Sequence, residues 1–110
     1  QIEREEVSLL IAREALQFIP TPVIGIDDED VIAFVNAAAE KLLSQYGPVL
    51  GGELTYVLPT VAAVLAQTDE GGLSAISIEE KRYLLQWNTM GNNSRSKGKL
   101  IMLTRTGQEL

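Results

Sequence analysis

At 110 residues and 12.0 kDa the chain is long enough for one domain with its own core. Its 45% apolar and 22% charged side chains and mean hydropathy of +0.08 fit a globular domain and exclude the disordered class. No apolar run reaches the ~18 residues of a membrane-spanning helix. The net charge of −6 divides unevenly: residues 1–80 hold 3 basic and 14 acidic side chains (net −11), and residues 81–110 hold 6 and 1 (net +5).

The absences narrow the chemistry. Without Cys there is no disulfide, thiolate catalysis or thiol-linked chromophore, and a cytoplasmic setting is the expected one. Without His the usual general base, zinc ligand and axial haem ligand are gone, which leaves carboxylates for acid–base work. The start lacks the basic-then-apolar layout of a signal peptide. Because the chain begins at Gln1 rather than Met, it is expected to be a piece of a longer protein.

Residues 1–19 are predicted to form a helix, with neither Gly nor Pro and an apolar stripe at Ile2, Leu9, Ala12, Leu16 and Ile19. A second stripe, Val7, Ile11, Ala15 and Phe18, widens the apolar face beyond the ~100° that one core needs. Two readings stand: a helix lying broadly on its own domain, or a dimerisation linker that also meets a second copy. Pro20-Thr21-Pro22 ends the helix.

Residues 22–27 and 31–35 are short β-branched runs around Asp28-Glu29-Asp30, the pattern of a hairpin with an acidic turn. The four acids Asp27 to Asp30 lack the alternating ligand spacing of a calcium loop, so a solvated turn is expected and no metal site is assigned. Asn36 precedes the strong helix formers Ala37 to Leu43 and is placed to cap them, a role whose loss costs ~1 kcal/mol. Breaks at Gly47-Pro48 and Gly51-Gly52 lead to helical pieces at 53–58 and 60–67, the second after Pro59.

Three strands follow at about 73–79, 82–90 and 98–105, the last two joined by a Gly- and Ser-rich loop. In the middle one Tyr83, Leu85 and Trp87 face one way, while Leu84, Gln86, Asn88 and Met90 face the other. Alternation alone leaves open which set looks toward the helices. Both faces carry apolar groups, so the sheet is expected to be covered on both sides. The fold class is α+β.

The order of these elements, with IPTPVIGID, an acidic turn, VIAFVNAAAEKLL and a three-strand finish, resembles the PAS sensory-domain family over residues 14–106. Its most specific stretch is Asp27 through Leu43. The resemblance implies a five-stranded antiparallel sheet in the order 2-1-5-4-3 with short helices on one face. The implied organisation is a linker helix over 1–19, a sensory domain over 20–106 and the start of a connector at 107–110.

The chain departs from the family pattern in places. Asp30 stands where the hairpin often has Gly, a substitution the turn tolerates because Asp accepts positive φ more readily than most residues. Thr104-Arg105-Thr106 replaces the common Asp-Ile-Thr close of the last strand, which alters an electrostatic tie toward an output helix. Flavin-adduct, Cys-linked chromophore and His-ligated haem subclasses are argued against by the missing Cys and His.

The function implied is regulatory, a module that pairs with its twin and relays a ligand or partner state to a fused output domain. If a small molecule binds, Gln86 and Asn88 are candidates to orient it among Leu42, Val57, Val61 and Leu65. The alternative is a ligand-free dimerisation scaffold with a solid interior. Phosphate or nucleic-acid contact through Arg95, Lys97 and Lys99 is disfavoured, since that loop lacks interleaved aromatics. Enzymatic chemistry is weakest, as no nucleophile–base pair or phosphate-cradling loop stands out.

Overall fold

The computed structural model describes residues 15, 17–67, 70–89 and 98–106. Strands β1 (Val23–Ile26) and β2 (Ile32–Val35) lead into helix α1 (Ala37–Leu42) and a 3-10 turn at Ser44–Tyr46. Helices α2 (Leu54–Val57) and α3 (Pro59–Leu65) precede β3 (Gly72–Ile78), β4 (Lys81–Thr89) and β5 (Lys99–Arg105). The strands form one antiparallel sheet in the order β2-β1-β5-β4-β3, the arrangement expected from the sequence. Of the helix predicted over 1–19, only Ala15 and Gln17–Ile19 lie within the described residues; Ile2, Leu9, Ala12 and Leu16 fall outside them.

The acidic hairpin is built by its first residue. Asp27 Oδ1 accepts from the N–H groups of Glu29 at 2.8 Å and Val31 at 3.0 Å, an Asx-type turn that supplies partners to two backbone donors. Asp30 adopts φ 63°, the left-handed conformation that its short polar side chain tolerates. The edge of β2 is then covered. Ile32 N–H donates to the Gly52 carbonyl and Gly51 N–H to the Ile32 carbonyl, both at 2.8 Å, so the 51–53 segment lies along an otherwise unpaired strand.

The other hairpin turn is less ordinary. Ile78 pairs with Lys81, leaving Glu79 and Glu80 as a two-residue loop at φ 55° and 67°. Such loops have positive φ at both positions and favour Asn-Gly, because their twist matches the flanking strands. Near the start of β5, a Cβ on Gly98 would run into the Ile26 carbonyl oxygen, so the close approach of that segment to β1 requires glycine.

The core lies between the sheet and the helices. Ile24, Ile101, Leu103, Leu85, Trp87 and Tyr83 on the sheet meet Leu54, Leu58, Val61 and Leu65 on the helical side, all at 4% exposure or less. The question left open by β4 is thereby answered: Tyr83, Leu85 and Trp87 look inward, and Leu84, Gln86 and Asn88 look out.

Candidate functional site

Asn36 is the residue on which the first half of the domain turns. It is fully buried at the end of β2, and its Oδ1 accepts at 2.9 Å from both Ala39 N–H and Val23 N–H. Its Nδ2 donates to the Thr21 carbonyl at 2.9 Å. One side chain therefore caps α1 and also fixes where the incoming chain joins the sheet. The cap follows from sequence alone; the second role does not, because nothing local links Asn36 to residues 13 and 15 positions earlier.

The proposed ligand set is divided by the sheet. Val61 and Leu65 are buried in the core, and Leu42 and Val57 pack half-buried at its margin. Gln86 and Asn88 stand exposed on the opposite face and do not join them. The physical reason is the two-residue period of a strand: once Trp87 and Leu85 enter the core, their neighbours must face away. Trp87 settles the phase. Its indole N–H donates to the Glu70 carbonyl at 2.9 Å, and its ring covers Gly72, where a Cβ would lie 2.7 Å from the ring. No wider side chain fits beneath it.

The interior between helices and sheet is occupied by a single cluster of contacting apolar side chains. Clefts open at the margins instead. One of about 380 Å³ is lined by Val35, Leu43, Val49 and Leu50 beside Glu40; a smaller one of about 200 Å³ lies among Asp30, Leu54, Leu65 and Lys99.

The outer face of the sheet is apolar in its middle, fully buried at Val23 and exposed at Leu73. Pairing registers align Val23, Met102, Gln86 and Leu73 across four strands, with Leu84 beside Ala75 in the next row. Leu73 is 62% and Leu84 38% exposed, and Phe34, Leu100 and Met102 are half-buried. Phe18, just before the sheet begins, is 81% exposed, and Ile19 is half-buried.

Polar chemistry is sparse. Among the described residues no three carboxylates or other donors converge as metal ligands, and no helix is long and apolar enough to cross a membrane. The basic loop at 90–97 lies outside the described residues. Tyr46 O–H donates to Glu79 at 2.8 Å, tying the 3-10 turn to the β3–β4 hairpin. That bond to a carboxylate, then burial and the Glu79 charge, raises the phenol pKa above its ordinary value, so the donor stays protonated at neutral pH.

No protein-family model matches the chain, and no curated protein matches it significantly. Solved structures do. The PAS domain of Bordetella pertussis BvgS superimposes with a TM-score of 0.68 at 14% identity, over 92% of this chain and 88% of that one. The PAS domain of nitrogen regulation protein NR(II) from Vibrio parahaemolyticus gives a TM-score of 0.65 at 15% identity, over 87% of this chain and 98% of that one. Histidine kinase ThkA, solved in complex with the response regulator TrrA, matches with a TM-score of 0.60 at 19% identity, over 80% of this chain and 29% of the kinase. With the β2-β1-β5-β4-β3 sheet, its helices on one face and the Asp27-to-Leu43 hairpin and cap, the chain has the PAS-domain fold.

Proposed function

We propose that the chain is a regulatory PAS module, itself without catalytic activity, that dimerises and relays a ligand or partner state to an output domain fused to it. The observation that carries this reading is the two-sidedness of the sheet. One face is filled by the domain's own helices; the other presents exposed Leu73 and Leu84 beside half-buried Met102. An apolar sheet face of this kind is a contact surface rather than a solvated one. The N-terminal segment, with apolar stripes at Ile2, Leu9, Ala12, Leu16 and Ile19 and at Val7, Ile11, Ala15 and Phe18, supplies two apolar faces, one for the domain and one for a second copy. The fold is shared with modules of sensor histidine kinases, which supports an output of the two-component kind.

Replacing Leu9 and Leu16 by Glu places like charges along the seam and is expected to convert dimer to monomer with the sheet intact. Light scattering with circular dichroism reads both quantities; an unchanged mass refutes the seam. A second reading, a scaffold that binds no ligand inside, is favoured by the tight burial of Leu54, Val61, Leu85 and Ile101, each at 1% exposure or less. Native mass spectrometry separates the two, since a dimer carrying extra mass supports a sensor whose ligand lies near Leu42, Val57, Val61 and Leu65, and a bare dimer supports the scaffold.

A further inference from the structure

A third cleft, of about 390 Å³, lies at the end of the sheet where the chain enters β1 and leaves β5. Its accessible apolar groups are Leu42, Pro20 and Pro22, above the buried Tyr83 and Leu103, and three cations line it: Lys41, Lys81 and Arg105. The fold brings these together for stated reasons. Tyr83 and Arg105 are directly paired across β4 and β5, and Lys81 lies two residues before Tyr83 on the same face. Lys41 comes from α1, whose position is set by the Asn36 cap. Arg105 is held in place by the ring of buried Tyr83, with its guanidinium carbon 5.8 Å from the ring centroid.

The charge at this site runs against that of the molecule. The chain has 15 acidic and 9 basic side chains, yet none of these three cations forms an ion pair with a described carboxylate. Three cations without an ion-pair partner among the described residues, beside the apolar Leu42, Pro20 and Pro22, attract a group that brings both negative charge and an apolar body. The overall net charge of −6 disfavours an extended polyanion such as nucleic acid.

We propose that this cleft binds a small amphiphilic organic anion, its phosphate or carboxylate held by Lys41, Lys81 and Arg105 and its apolar part lying on Leu42 and the rings of Pro20 and Pro22. A ligand there contacts α1, two strands and the Pro20–Pro22 segment at once. It thus joins the way into the domain to the way out of it. The proposal stands apart from the dimer reading: the Leu9→Glu, Leu16→Glu variant is expected to bind the same anion equally well.

The test is a titration of the 15N-labelled full chain with phenyl phosphate at low ionic strength, followed by backbone amide shifts, with inorganic phosphate and benzyl alcohol as the two half-ligands. Saturable shifts at Lys41, Lys81, Thr104 and Arg105 are expected, weakening as salt is added. Binding should fall at least about tenfold in Lys41→Gln, Lys81→Gln, while Arg82→Gln, on the other face, leaves it unchanged. The spectra themselves report whether each variant is folded. Shifts elsewhere, or binding indifferent to the Lys substitutions, overturn the proposal. Inorganic phosphate binding as tightly as phenyl phosphate overturns the amphiphile. A Glu-rich peptide that moves these resonances where phenyl phosphate does not overturns it in favour of a protein-docking surface.

Discussion

A single amide side chain ties the start of α1 to the chain entering β1 at Asn36, and its replacement measures how much of the fold passes through one residue. Asn36→Ala removes the acceptor for Ala39 and Val23, both buried bonds, and the donor to Thr21, a part-buried one. A cap alone is worth ~1 kcal/mol, but each buried group left without a partner adds about 1–3 kcal/mol, so a loss of about 3 kcal/mol is expected in urea denaturation. Asn36→Asp tests the parts separately: its carboxylate can still accept from both N–H groups but opposes the Thr21 carbonyl, so its deficit should shrink as pH falls and the acid becomes a donor. A loss of only ~1 kcal/mol in the Ala variant would mean that the tie to Val23 and Thr21 is energetically idle. The sequence shows the cap because capping is local; it hides the tie because only the antiparallel return of the chain brings Thr21 and Val23 to Asn36.

At the scale of elements, the strand and helix positions between residues 22 and 105 are legible to within a residue or two because apolar periodicity and the Gly and Pro breaks report them directly. The turn chemistry was less visible. Nothing in Glu79-Glu80 announces a turn with two positive φ values; the β3–β4 register imposes it on residues that disfavour it. Glu80→Gly is therefore expected to stabilise the domain by about 1 kcal/mol, the relief of left-handed strain less the added freedom of the unfolded chain. A raised urea midpoint with an unchanged slope is the expected signature; a lowered midpoint would show that the Glu80 side chain makes up for its backbone. Glu79 is left in place so that its bond from Tyr46 persists. The phase of β4 was the other element-level gap. Both of its faces carry apolar residues, so period alone leaves the choice between them open, and Gln86 and Asn88, the candidates to orient a ligand, stand on the outer face.

That phase divides the molecule into a face that holds the domain together and a face available to something else. Leu85 is fully buried among the helices and Leu84, its immediate neighbour, is 38% exposed on the outer surface. Leu85→Ala should cost about 2–5 kcal/mol of stability, the price of a cavity in a packed core. Leu84→Ala should change stability by roughly 0.5 kcal/mol or less while weakening self-association, since its apolar surface is lost where a second copy or the N-terminal segment would cover it. Thermal or urea unfolding paired with sedimentation over a range of concentrations measures both effects on the same two proteins. Equal destabilisation by the two substitutions would mean that the outer face is already sealed within one chain, leaving the N-terminal seam alone to bring two copies together.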